Sequence, residues 1–286
     1  RTKRVRRPGR LDGRTCLIVG GTGGIGLASA RRFLEEGARV VVAGQSPELN
    51  RSAIARLATL GPVWDVAVEL AQGEAEVARL FTFALNALGG RLDVLLHVAG
   101  ISGRKFGDGP LHECTGVGWD RVMEVNATGV FLTNRAAVRF MLRQPVDASG
   151  LRGTVVNVGS VLDRAPGPEH FGTIAYAASK GAIRSLTRAA AATYAPERIR
   201  FNLLAPGLID TPMATPAVND PVIRPYVAAR QPIAGGPGSA EDVAEAALYL
   251  CEPASRFITG AELIVDGGWC VSEGYRPGVI GIEAGP

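Results

Sequence analysis

This 286-residue sequence predicts a doubly wound α/β fold: one domain, a seven-stranded parallel sheet and helices on both faces. Three observations carry that prediction. Short apolar runs alternate with amphipathic stretches from residue 14 to residue 266, the rhythm of strand–helix units in a parallel sheet. A run of glycines separates the first apolar run from the first amphipathic stretch, where such sheets turn tightly into a helix. No repeat or low-complexity linker divides the chain, and 47% hydrophobic with 20% charged residues supplies one sizeable core.

The elements follow in order. Thr15 to Val19 reads as a buried strand, and Leu27 to Glu36 as the helix after the glycines. Arg39 to Ala43, Val63 to Val66, Val94 to Val98, Thr154 to Val158, Arg200 to Leu204 and Glu262 to Val265 are the remaining strands. Helical spacing covers Glu74 to Leu88, Gly118 to Leu142, Ala175 to Ala195 and Ala240 to Leu250. Residues 211–238 contain Pro212, Pro216, Pro221, Pro225, Pro232 and Pro237, too many for one uninterrupted helix. A long proline-studded segment between a strand and a helix predicts a substrate lid.

Charge is unevenly placed. The formal net charge is +4, yet Arg1, Lys3, Arg4, Arg6, Arg7 and Arg10 lie in the first ten positions without an acid among them. The rest of the chain is slightly acidic, so residues 1–10 are expected to be a solvated, disordered arm. The domain is expected over 11–270, with a C-terminal extension at 271–286. No apolar run reaches the ~18–20 residues of a membrane span. Cys16, Cys114, Cys251 and Cys270 are scattered, with neither C-x-x-C nor paired histidines, which points to reduced thiols in a cytoplasmic protein and to no metal site. No nucleic-acid or membrane partner is expected.

Two motifs carry chemistry. Gly20, Gly24 and Gly26 in GGTGGIG let the backbone approach a pyrophosphate at the N-terminus of the first helix. Tyr176 and Lys180, in YAASK, are one helical turn apart and project from the same face. A tyrosine with an ordinary pKa of about 10 is a poor acid or base near neutrality. A neighbouring cation favours its phenolate, and a hydroxyl such as Ser160 can hold the reacting oxygen beside it.

These motifs, with VNATGVF, LLAPGLIDTPM and ITGAELIVDGG, make residues 11–270 resemble the classical short-chain dehydrogenase/reductases. The resemblance implies a Rossmann-type fold and NAD(P)-dependent hydride transfer between a secondary alcohol and a ketone or similar carbonyl. It implies the catalytic residues Asn126, Ser160, Tyr176 and Lys180. It places the cofactor against Gly20, Thr22, Gly24, Ile25, Gly26, Gln45, Asp65, Val66, Ala99, Gly100, Tyr176, Lys180, Pro206, Gly207, Ile209 and Thr211, with a small-molecule substrate and a homotetramer. Alternatives on the same fold are a 3-oxoacyl-acyl-carrier reductase, which Glu197 near a carrier-docking position argues against, and a non-catalytic NAD(P)-binding regulatory protein.

The sequence departs from the family at three places. Val19 precedes the glycine loop in place of threonine, and His97-Val98-Ala99-Gly100 stands for Asn-Asn-Ala-Gly, with His97 expected buried and bonded locally. Ser160 and Tyr176 are 16 positions apart, about three more than the resemblance implies. At the end of the second strand, Gly44 occupies the acidic position of NAD-preferring relatives, and Gln45 the arginine position of phosphate-preferring ones. With no acid there to repel a 2′-phosphate, the expectation leans slightly to NADP.

Overall fold

The computed structural model describes residues 9–273. Seven parallel strands form one sheet in the order β3-β2-β1-β4-β5-β6-β7. They are β1 (Thr15–Val19), β2 (Arg39–Gly44), β3 (Val63–Ala67), β4 (Val94–His97), β5 (Gly153–Val158), β6 (Ile199–Pro206) and β7 (Glu262–Val265). Every expected strand is present within two residues at either end. The helices are α1 (Gly24–Glu35), α2 (Pro47–Leu57), α3 (Glu74–Leu88), α4 (Gly116–Val122), α5 (Gly129–Met141), α6 (Pro168–Phe171), α7 (Ile174–Tyr194), α8 (Thr215–Val218), α9 (Ile223–Arg230) and α10 (Ala240–Cys251).

Alternation along the strands builds two cores. Leu17 and Val19 of β1, Val41, Leu95 and Val155 point to the face covered by α3 and α5. Cys16 and Ile18 of β1, Val40, Val42, Leu96 and Val156 point to the face covered by α1 and α10. Each central strand is buried on both faces, which is why it reads as an unbroken apolar run. Strand order reverses between β1 and β4, and the crevice at the carboxyl ends of those strands is where such sheets bind ligands.

Four features differ from expectation. Helix α2 was not anticipated, although Ser46 caps it by accepting from the Leu49 N–H and Pro47 occupies its first turn. The expected single helix over 118–142 is α4 and α5 joined by a π-turn at Met123–Thr128. The basic arm is shorter than residues 1–10. Arg10 forms a two-point pair with Glu252 (Nη2–Oε1 2.8 Å), and its N–H donates to Glu36, which ties it to α1 and to the end of α10. Residues 1–8 lie outside the described residues, as do 274–286 of the expected extension. The apolar, glycine-rich run from Trp269 to Ile282 predicts a segment that a neighbouring subunit covers, yet Trp269 is 1% exposed and packs inside this chain.

Candidate active site

Backbone constraints shape the cleft first. Gly20 has φ +84°, and a Cβ there would stand 2.6 Å from the Ala99 amide nitrogen. Only glycine lets the loop after β1 meet the loop after β4 so closely. A Cβ on Gly26 would overlap the Gly20 carbonyl, so the start of α1 can approach the turn. The resulting cavity of about 1870 Å³ runs from α2 across the glycine loop to the lid. That exceeds a typical single-ligand pocket and suits a dinucleotide with a substrate beside it.

Three of the four expected catalytic side chains, Ser160, Tyr176 and Lys180, converge on this cavity. Ser160 follows β5 and accepts from the Leu162 N–H (3.2 Å), which fixes its hydroxyl at the cleft. Tyr176 and Lys180 stand on the first turns of α7, with the Lys180 ammonium 5.5 Å from the Tyr176 ring centre. The position of α7 is set by Asp108, whose carboxylate accepts from the Ala175 and Tyr176 N–H groups (2.9 and 3.0 Å). A carboxylate there satisfies two otherwise free helix donors and favours the positive end of the helix dipole. Lys180 is 4% exposed and donates to the Val158 carbonyl (3.0 Å).

Asn126 does not line the cleft. It lies beneath the floor in the π-turn and accepts from the Ile101 N–H (2.8 Å). Its amide nitrogen donates to the Ile101 carbonyl and to Ser179 Oγ, both at 3.0 Å. The π-turn thereby ties the loop after β4 to α7, a placement in line with the tendency of such turns to occur at functional sites.

Burial dominates the electrostatics. It pushes the Tyr176 phenol above its usual value; the Ser160 hydroxyl acts in the opposite direction, and Asp163 adds to the rise. The same burial lowers Lys180 to about 8, with Asp163 opposing. His97, 1% exposed, bonds through Nδ1 to Thr133 Oγ1 (2.8 Å), and burial drives it down to about 3. Thr133 donates to backbone carbonyls of its own helix, so His97 Nδ1 carries the proton and Nε2 is left without a partner.

Of the expected cofactor residues, Gly20, Thr22, Gly24, Ile25, Gln45, Ala99, Gly100, Tyr176, Lys180, Pro206, Gly207, Ile209 and Thr211 line the cavity, with Gly26 buried just behind. Asp65 and Val66 do not. They sit inside β3, Val66 in the core, and the wall they were expected to make is formed by Val68, Glu69 and Leu70. Among the described residues no three His, Cys, Asp or Glu side chains group as a metal site, and no helix is long and apolar enough to cross a membrane.

Comparison with known proteins agrees with this geometry. A family model described as enoyl-(acyl carrier protein) reductase matches residues 20–270. Cis-4-hydroxycyclohexanecarboxylate dehydrogenase of Sinomonas cyclohexanicum is 40% identical over 257 residues, covering 90% of this chain and 96% of that protein. The 2-(S)-hydroxypropyl-CoM dehydrogenase 3 of Xanthobacter autotrophicus is 36% identical, covering 91% and 97%. A solved short-chain type dehydrogenase/reductase from Mycobacterium ulcerans superposes with a TM-score of 0.82 at 28% identity, covering 94% of each chain. The chain belongs to the short-chain dehydrogenase/reductase family.

As a short-chain dehydrogenase/reductase it is an oxidoreductase of secondary alcohols and the corresponding carbonyls, and it uses NAD or NADP. Sequence reasoning missed four contributors to this dehydrogenase's cleft. Asp108 positions α7, and Glu69 forms the far wall. Asp163, whose side chain is 2% exposed, pairs with Arg184 of α7 (2.9 Å) behind Ser160. Arg104 stands at the cleft mouth. No local motif marks them, because each acts across a gap that only the fold closes.

Proposed function

We propose that Tyr176 is the acid/base of this oxidoreductase and that Ser160, Lys180 and Asn126 support it. One observation carries the reading: a phenol, a hydroxyl and a buried ammonium from β5 and α7 face one cavity beside a glycine loop. In reduction Tyr176 would give its proton to the developing alkoxide, and in oxidation its phenolate would take the proton of the alcohol. Ser160 would hydrogen-bond the same oxygen and fix its direction. Lys180 would favour the phenolate, countering burial and Asp163, which both hold the phenol protonated. Asn126 would hold the loop after β4 in place under the reacting groups.

A nicotinamide cofactor, held by the glycine loop and by Ala99, Pro206 and Thr211, would supply or accept the hydride. Between NAD and NADP we propose NAD. The slight lean to NADP rested on the absence of an acid near Gln45, yet the Gln45 amide bonds to the Glu69 carboxylate. A carboxylate in that corner disfavours a 2′-phosphate by repulsion. Gly44 itself leaves no room for an acid, because a Cβ there would collide with Thr22 and Asn50. An acyl-carrier substrate is not favoured, since Glu197 stands exposed where a carrier's acidic face would meet it. Replacing Tyr176 with Phe tests the whole reading. Turnover should fall about 10²–10⁴-fold with cofactor affinity kept; activity within threefold of the parent would end it.

A further inference from the structure

At its substrate end the cavity has an apolar interior and a basic rim. Leu162, Phe171, Ile223 and Trp269 supply the interior, and the exposed Met213 lies at its edge. Beside them, the turn Arg104–Phe106 carries Arg104 and Lys105, both exposed and both lining the same cavity. This turn begins four residues after Gly100, where a Cβ would stand 3.5 Å from Lys180 Nζ, so the two cations lie outward of the reacting groups on one continuous wall.

Among the described residues, no carboxylate forms an ion pair with Arg104 or Lys105, whereas Arg31, which also lines the cavity, pairs with Glu35, and Arg56 lies at the α2 end. Arg104 is nevertheless held, because one of its terminal nitrogens donates to the His170 carbonyl. That bond fixes the guanidinium plane and leaves its other N–H groups free. Lys105 Nζ rests 5.0 Å over the Phe106 ring.

The acids nearby are occupied elsewhere. Asp220 of the lid caps α9 by accepting from the Val222 and Ile223 N–H groups (2.8 and 3.3 Å). Asp108 caps α7, and Asp163 is paired behind Ser160. Glu113 and Glu169 line, with Arg104 and Asp108, a smaller neighbouring cavity of about 370 Å³ and approach His112 and His170, without forming an ion pair to Arg104. Asp210 and Glu241 belong to the opposite wall, where Ile209 bridges to Gly238. Among the described residues the mouth therefore carries two cations without an ion-paired carboxylate, over an apolar chamber.

We infer that the substrate of this enzyme is an alcohol or ketone with an apolar body and a carboxylate remote from the reacting carbon, bound at the mouth by Arg104 and Lys105. A planar guanidinium with an open edge suits the two oxygens of a carboxylate, and the lysine adds a second charge without geometric demand. The apolar chamber takes the body, and Tyr176 meets the carbonyl at its inner end. The position of that inner end rests on the proposed function; the recognition of the acid does not.

Binding can be measured apart from turnover. The Tyr176→Phe protein, with either reduced cofactor present, would be titrated with 4-oxocyclohexanecarboxylate and 4-oxopentanoate, each against its own methyl ester. At least one acid should bind about tenfold more tightly than its ester. That preference should shrink as salt is raised, because the rim is exposed. In the background of Arg104→Gln with Lys105→Gln, the ratio of acid to ester affinity should fall to about one. If neither acid binds more tightly than its ester, or if the double substitution leaves the ratio unchanged, the inference is overturned. Failure of Tyr176→Phe to lose turnover would instead count against the proposed mechanism.

Discussion

Lys180 illustrates how a single side chain can be costly to the fold and still belong to the proposed chemistry. Its pKa of about 8 lies well below the ordinary 10.5, so the folded protein holds this proton less tightly than the unfolded chain. Below pH 8 the charged form is buried at a cost, and that cost is relieved as pH rises from about 8 towards 10.5. Replacing Lys180 with Met should therefore stabilise the cofactor-free protein at pH 7 by on the order of 1–3 kcal/mol, seen as a higher melting temperature, while activity collapses. A lower melting temperature in thermal unfolding would show that the bond to Val158 outweighs desolvation. At the opposite end of the cavity, Glu69→Gln should raise the ratio of NADP to NAD specificity several-fold by removing a charge near Gln45. An unchanged ratio would place the 2′-position elsewhere.

Elements show what could be read without coordinates. Every strand was legible, the central ones because strands buried on both faces are largely apolar, and all because turn residues bound each run. Helix α2 escaped because its apolar positions, Leu49, Ala53, Ile54 and Leu57, are interrupted by polar residues and begin at a proline. The serine before that proline was the usable signal. Tyr176 and Lys180 were legible because one helix sets their spacing. Asp65 was misplaced because β3 runs on to Ala67 and the 3₁₀ turn Leu70–Gln72 brings Glu69, four residues later, to the cavity. Between β4 and α5, His97 supplies a further test. Its proton affinity is far lower folded than unfolded, so the unfolded chain gains a proton as pH falls from 6.5 towards 3 and stability drops with it. The slope from this group approaches ~1.4 kcal/mol per pH unit. His97→Asn should flatten the acid limb of the stability profile measured by denaturant unfolding; an unchanged limb would contradict a buried, neutral His97.

For the whole molecule, a homotetramer remains a proposal. Small residues Ala178, Gly181, Ala182, Ala189 and Ala192 lie on partly or fully open positions of α7, and a Cβ on Gly181 would meet nothing. Phe131 of α5 is 44% exposed, an apolar group that a second copy would cover. Light scattering at micromolar concentration should return about four times the 29.9 kDa of one chain; a monomer would refute it. Trp269 bears on the molecule in another way. Its indole donates to the Ala165 carbonyl (2.9 Å), and its ring meets Phe171 and Tyr226 edge-on at 5.6 and 5.7 Å. It follows all seven strands in the sequence, so a growing chain has already incorporated its glycine loop and every strand before this residue exists. The wall built on Trp269 is thus the last part of the cleft to be made during synthesis. A frameshift or stop between Val265 and Trp269 would leave a nucleotide pocket with one side missing.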